Sequence, residues 1–504
     1  MESAEHAWLG DQVTLTFDSG AVSAQGVPLS LPPSDAPGGS SRLTYGQLIA
    51  LGGDFYGVVG RPISTSPDPR AAFLAAFDTL RADPAQRGEI LGVMAEEIAK
   101  VDAAFTAHEN PSTVYAELGD SLSMRWNVIT GGRNVGDLPV SLGRYLGLAA
   151  ENWDHFATYA VVAYRAGHAV AMAHAAAIAS SGASPEDKAT RLQEAYALNA
   201  FADHFLTDLF SAGHLRVPRK ELYEQVTTPV PGFSGTMGSL LSRSMHDEDC
   251  RIGLKVHNAE GDTWVAFGDK RLLDIETRDN RDMAVRATQA SATDVWEAYL
   301  GRPQRFSALE LIPDLAKVLD VSTHENFSPL FLQRDGRADR RDDVINRSDF
   351  SWTSNWWGWS TWVAIQAAGS REYVNVPCYL LSGGSFAGWL GVGTNNYTVL
   401  VNDEKDAHPC TWYADGDDLY LRKSTSAGDR YLGDGVYSYA DWGLWGGNYK
   451  SAVLYNTDQT LSLKDAPTRT LYLYKDNQLC WSNGEDDLEL LRVDLPLGDP
   501  FATF

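Results

Sequence analysis

The chain has no run approaching the ~18 consecutive apolar residues of a membrane-spanning helix, so no span is expected. Its start, MESAEHAWLG, has neither a basic n-region nor an apolar h-region, and no secretory signal is visible there. Export by another route, or a leader already removed, stays open. Cysteine is scarce: Cys250, Cys378, Cys410 and Cys480 show no CxxC spacing. They read as free thiols or one bridge and leave the compartment undecided. No HExxH marks a metalloprotease. Basic residues are few, 41 Lys and Arg against 66 Asp and Glu, for a net charge of −25. Both parts of the chain share it, since from Asn346 onward 11 Lys and Arg stand against 20 Asp and Glu. So acidic a surface repels phosphate backbones, which argues against nucleic acid as a partner. Anionic membranes are not favoured either, while apolar docking to lipid stays open. What is present, 44% hydrophobic and 21% charged residues over 504 positions, reads as a soluble globular chain of two or three domains.

Two textures divide it. Up to about residue 345 the pattern is helical, with a loop at PSDAPGGSS (33–41) and a helix broken at Gly52-Gly53 in LTYGQLIALGGDFYG. Segments 70–108 and 281–300 carry helical periodicity, the second through Met283, Val285, Ala290, Val295 and Trp296. One Ala-rich helix is expected from Leu142 to Ala179. Another opens at Ser184-Pro185-Glu186-Asp187, an N-cap serine and first-turn proline, and runs to about Ser211, with Gly213 placed to end it. GLKVHNAEGDTWVAFGD (253–269) alternates around a turn, as a hairpin does. After about residue 370 short strands and turns repeat. Leu380, Leu421 and Leu463 are 41 and 42 residues apart, and Leu390, Leu432 and Leu471 are 42 and 39 apart. Each pair brackets a strand, a polar turn and a strand, and three such units resemble a β-trefoil; a β-sandwich with chance spacing is the alternative. The expected organisation is a helical domain over 1–345, a Trp-rich connection over 346–370 and an all-β domain over 371–504.

HFLTDLFSAGH (204–214) places potential metal ligands inside an apolar helix. Four residues separate His204 from Asp208, so both share one face, and His214 follows just beyond Gly213. Asp154 and His168, fourteen residues apart, also share a helical phase, but lie ~21 Å apart along a straight helix and need a break to meet. His155 and His174 fall away from that direction and read as structural or exposed. Any one such histidine is commonly a hydrogen-bonded core residue. Several acids and histidines together suggest coordination, because buried charge is costly unless paired or metal-bound.

Asp154-x13-His168 followed by His204-x3-Asp208-x5-His214 resembles the bacterial zinc-dependent phospholipases C, which share a helical three-zinc architecture with single-strand-specific zinc nucleases. The likeness is best over residues 42–270. It implies Asp154, His168, His204, Asp208 and His214 as zinc ligands, with Asp208 bridging two of two to three ions. The family's further His-x3-Glu or His-x3-Asp pair is altered here: His246 has Cys250 at that offset, so Asp249, Asp247 or Cys250 substitutes, or that site differs. Asp249 is the expected ligand. Many members also use a mature N-terminal Trp and a nearby His. Asp54, in glycine-flanked GGDFYG, is the expected replacement, with His6 a weaker one because N-terminal tails are commonly disordered.

The resemblance implies hydrolysis of a glycerophospholipid, phosphatidylcholine by preference, to diacylglycerol and a phosphorylated headgroup, with Asp154 orienting the attacking water. Phe55, Tyr56 and Trp153 flank these ligands and could line a substrate pocket, or be core. A zinc nuclease or other phosphodiesterase on the same scaffold is the alternative, and a non-enzymatic lipid- or sugar-binding protein is another. Work outside the cell, with peripheral membrane contact, is expected, with a cytoplasmic location left open. Finally, SWTSNWWGWSTWVAIQAAG (351–369) holds five tryptophans, which either pack the seam between the domains or dock on lipid.

Overall fold

The computed structural model describes the chain except residues 18–20, 23–25, 32–41, 108, 120, 137, 231, 275–276, 324, 345–346, 348, 370–378, 383–384, 394–396, 403–405, 409, 416–417, 426–427, 436–438, 443–449, 457–459, 485–487 and 495–504. The loop expected at 33–41 and Cys378 therefore lie outside the described residues. An N-terminal helical region is followed by C-terminal antiparallel strands.

The helices are α1 (Ser3–Asp11), α2 (Tyr45–Leu51), α3 (Pro69–Ala82), α4 (Pro84–Thr106), α5 (Ser112–Leu118), α6 (Ser121–Ile129) and α7 (Arg144–Ala150). Then come α8 (Ala157–Ala179), α9 (Pro185–Asp208), α10 (Ala212–Leu215), α11 (Arg219–Gln225), α12 (Ser234–Ile252), α13 (Arg278–Tyr299), α14 (Leu315–Leu319) and α15 (Gly358–Gly369). Helix α9 starts where its sequence directs: Ser184 Oγ accepts from Asp187 N at 3.2 Å and Pro185 occupies the first turn. From Ala195 to Asp208 every residue is buried, because α1, α2, α8 and α13 pack around it. A helix buried on all sides is the core of its region. Small side chains let α8 approach closely; a Cβ at Gly167 would lie 2.2 Å from Phe73 and 2.7 Å from Ala202.

The single helix expected over 142–179 is instead two. Helix α7 ends at Ala150, a short turn covers Trp153–His155, and α8 begins after Phe156. The expected hairpin forms, with Leu254–His257 antiparallel to Thr263–Ala266.

Beyond α14, strands Phe331–Arg334, Arg337–Arg341 and Trp352–Thr353 make a small antiparallel sheet, so the boundary expected at 345/346 falls inside one sheet. Two arginines of this stretch reach back to α12. Arg341 pairs with Glu248 at 3.0 Å, and Arg347 lies 2.9 Å from Glu248 and 3.5 Å from Asp249, all buried. Of the tryptophans, Trp356 and Trp362 pack into the adjoining core, Trp352 is half-buried, and Trp357 and Trp359 are exposed. In the C-terminal region Tyr379–Ser382 pairs with Ser385–Val392, Asp418–Thr425 with Gly428–Tyr431, and Leu461–Leu463 with Ala466–Leu473. These hairpins carry the repeat leucines. Leu380, Leu390, Leu421, Leu432, Leu463 and Leu471 are all buried in one apolar cluster, and the strand Glu489–Asp494 returns to pair with Tyr379–Ser382.

Candidate metal centre

The last turn of α9 puts His204 and Asp208 side by side, both fully buried, and the surrounding elements fix which ring atom faces inward. His204 Nδ1 lies 2.9 Å from the Ile49 carbonyl, which can only accept, so Nδ1 carries the proton and Nε2 presents its lone pair. His214 Nδ1 likewise donates to the His155 carbonyl at 2.9 Å. Thr207 Oγ1 spends its proton on the Asp203 and His204 carbonyls, so it accepts from His6 Nδ1 at 2.9 Å and His6 Nε2 also turns inward. Burial favours the uncharged ring in each case. It lowers His6 to about 4, His204 well below the usual imidazole value, and His214 in the same direction.

Three groups of donors result: His6, His204 and Asp208; Asp54, His155 and His204; and His214, His246 and Asp269. Asp208 joins them. Its carboxylate lies 2.8 Å from His155 Nδ1, 3.5 Å from His204 Nε2, 3.5 Å from His6 Nε2 and 3.7 Å from His214 Nδ1. The Met1 amine sits 2.8 Å from Asp208 and 3.0 Å from Asp269. Asp269 lies 3.5 Å from His214 and 3.2 Å from His246 Nε2, and accepts from Ser211 Oγ at 2.6 Å. Burial alone would raise Asp208 and Asp269, yet the amine and the neighbouring imidazoles hold both well below the usual carboxylate range. Asp54, whose side chain is more exposed than those of His246 and Asp269, is pushed by burial up to about 7, with His155 pulling the other way.

These residues fit a cation. Imidazole nitrogen and carboxylate oxygen are the donors of zinc and related divalent ions. The buried Nε2 of His6 has no hydrogen-bond partner, as a nitrogen reserved for a cation would not. At Gly53, φ is +64°, and a Cβ there would lie 2.4 Å from His204 Cδ2, 2.6 Å from its Nε2 and 2.8 Å from His155 Cε1. Only glycine leaves that space between the two rings.

The expected ligands divide accordingly. Asp54, His204, Asp208, His214 and His246 are brought together. His168 is not among them. Its Nδ1 meets Asn199 at 2.5 Å, its Nε2 lies 3.3 Å from the Arg305 carbonyl and 3.6 Å from Asp294, and its ring stacks on Tyr164. Asn199 precedes His204 by five residues, ~7.5 Å along α9, which sets His168 apart from the centre. Asp154 faces the loop at 62–64 instead: it accepts from Ile63 N at 2.5 Å, from Ser64 N at 2.9 Å and from Ser64 Oγ. That makes it an anchor for the loop. Asp249 is also corrected. It lies three residues beyond His246 on α12, a helical position ~100° from that of Cys250, and Arg216 grips it in a fork at 2.7 and 2.8 Å. Two carboxylates flank His246 instead: Asp247 lies 2.9 Å from Nδ1, and Asp269, at the exit of the 254–266 hairpin, 3.2 Å from Nε2, with Cys250 Sγ 3.5 Å from Nε2.

His155, expected to be structural or exposed, is central. His6 is no tail residue either: it is fully buried in α1, whose Glu5 carboxylate accepts from Lys270 N and Leu272 N at 3.1 and 2.8 Å. His174 is half-buried against Glu194 at 3.3 Å. Tyr56 lines a cleft with Gly53, Val59, Leu148, Asp154 and His155, and Arg144 lies over its ring. Phe55 is core, packed on Trp126 and Tyr145, and Trp153 is buried against Tyr223. No family model matches the chain, and no curated protein or solved structure is significantly similar to it.

Proposed function

We propose that the chain is a zinc-dependent phosphodiesterase acting as a phospholipase C, cleaving glycerophospholipids, phosphatidylcholine foremost, to diacylglycerol and a phosphorylated headgroup. The observation that carries this reading is the convergence of imidazole nitrogens and carboxylates, continuous from Asp54 through Asp208 to Asp269, beside a cleft. Two to three ions would be held by His6, His204 and Asp208, by Asp54, His155 and His204, and by His214, His246 and Asp269. When bound, they supply positive charge that acidifies water and offsets charge building on the phosphoryl oxygens. Asp54 is the residue suited to orient the attacking water and hold its proton at a carboxylate oxygen, because its side chain is the carboxylate of its group and is partly exposed beside the cleft. Asp154 would act one step back, by fixing the cleft wall at Ile63 and Ser64.

The −25 charge weighs against a nuclease on the same scaffold. For the C-terminal strands we propose a β-trefoil-like domain that binds lipid or sugar, supported by the three leucine-bearing hairpins in one core. Work outside the cell on membranes belongs to the same proposal. The test is hydrolysis of p-nitrophenylphosphocholine, with single-stranded DNA in parallel, before and after chelation. Chelator-sensitive turnover of the choline ester is expected; turnover of DNA alone would replace the lipid reading, and no chelator-sensitive turnover of either would end it.

A further inference from the structure

Between α6 and α7 the strand Arg133–Val135 pairs antiparallel with Leu138–Ser141, in the register Arg133 to Ser141 and Val135 to Leu138. The root of this hairpin is built into the protein. Asn127, fully buried, donates through Nδ2 to Asn134 Oδ1 at 2.7 Å and to the Ser141 carbonyl at 3.2 Å, and accepts from Gly143 N at 2.7 Å. Asn134 Nδ2 donates to the Met124 carbonyl at 2.8 Å. A Cβ on Gly132 would lie 2.3 Å from Asn127 Oδ1, so the root tolerates no wider residue. The far end is the opposite. Val135 is 68% exposed, Leu138 71%, Val140 54% and Leu142 56%, with Pro139 exposed between them. A strand in a soluble protein normally covers one face; here neighbouring residues on both faces stand in solvent on a pinned base. Concentrated exposure of this kind marks a contact surface.

The surface adjoins the cleft. Helix α7 follows the hairpin directly, and its Gly147 and Leu148 line the cleft wall together with Val59, itself 50% exposed. Charge and side-chain type select the occupant. Residues 121–149 carry Arg125, Arg133 and Arg144 against Asp137, a locally non-acidic stretch in a chain of net charge −25. The exposed side chains flanking Gly136-Asp137, namely Val135, Leu138, Val140 and Leu142, are aliphatic, with none of the Trp, Tyr and Arg anchors that dominate protein–protein contacts. Short aliphatic side chains suit shallow burial at the headgroup–acyl boundary, with Arg133 reaching back to the phosphates. We infer that the 133–142 hairpin inserts into a zwitterionic phospholipid surface and brings the mouth of the cleft to it. The purpose of this contact rests on the phospholipase reading; the contact itself is tested without turnover.

The full chain is sedimented with vesicles of pure phosphatidylcholine, as wild type, Leu138→Asp, Val140→Asp and Val230→Asp, an exposed control outside the hairpin. The two hairpin variants should lose at least tenfold in partitioning while Val230→Asp and the wild type remain bound, with turnover of soluble p-nitrophenylphosphocholine equal in all four. Vesicle binding dependent on Leu138 with no ester hydrolysis by any form would leave the docking intact and remove the phospholipase reading. A wild type that stays in the supernatant, or hairpin variants that bind as it does, overturns the inference. So does a wild-type oligomer in ultracentrifugation that Leu138→Asp dissociates, since the occupant is then a second copy.

Discussion

Two buried polar sets lie about a turn and a half apart on α9, and they solve the cost of burial differently. Around His168 donors and acceptors match. Tyr45 and Ser291 donate to the two oxygens of Asp203, each at 2.6 Å, Asn199 donates to both of those hydroxyls, and Tyr164 donates to Ser291. Around His204 and Asp208, lone pairs of His6, His204 and His214 face carboxylates, and the His6 Nε2 has no hydrogen-bond partner. A set complete in itself stabilises a fold; a set with acceptors to spare calls for a cation. Both contain a helix-borne histidine and an aspartate, so residue type alone does not separate them.

The largest effect expected from this contrast is on chemistry. His204→Ala or Asp208→Asn should lower hydrolysis by more than about a hundredfold, since even residues outside the ligand shell cost 10- to 100-fold. His168→Asn should leave turnover within a few-fold and cost about 1–3 kcal/mol of stability, measured by urea denaturation. Equal loss of turnover in both would erase the distinction. Gly53→Ala comes next: its Cβ enters the space between His204 and His155, and the left-handed backbone adds about 1–2 kcal/mol of strain. Titration with a zinc indicator should show one ion fewer.

At His246 the comparison can be made between the acid three residues on along α12 and the acid that reaches its ring from the hairpin exit. Asp249→Ala strands Arg216 and should cost about 3–5 kcal/mol in chemical denaturation while keeping the metal count. Asp269→Ala should do the reverse and weaken the ion at His214 and His246. The smallest effect concerns Glu97, buried against Ala4 N and Tyr115 but far in kind from either set. Burial, then repulsion from Glu2, raises it from 4.5 to about 8. The folded state therefore holds a proton that the unfolded chain releases, so this contribution is complete below about pH 4.5 and is lost as pH rises through about 8. Glu97→Gln should flatten the decline in melting temperature across that window; an unchanged slope would place the proton elsewhere.

Much of this was legible in the sequence where the cause is local. Ser184-Pro185 starts α9, four-residue spacing aligns His204 with Asp208, alternation marks the 254–266 hairpin, and the recurring leucines mark one core. The misses have a common origin in chain reversals. A phase carried along one long helix turns His155 away from the site, whereas the chain breaks between Ala150 and Ala157, where Ala157 has φ +46°, and the phase starts again. Asp269 reaches His246 only because the hairpin folds back, with Phe267 accepting from Ala212 N at 3.0 Å and Gly268 pressed against Cys250. A glycine beside an acid at a strand exit was the available signal. Asp249 and Asp154 were acids of the right type whose partners, Arg216 and the loop at Ile63, are distant in sequence.

The central claim is that the inward-facing set binds metal and the matched set does not. Native mass spectrometry of the full chain after zinc loading, as wild type, Asp208→Asn and His168→Asn, tests it most directly. Two to three ions on the wild type and on His168→Asn, with at least one lost from Asp208→Asn, is the predicted result. A metal-free wild type, or equal loss from both variants, would contradict it.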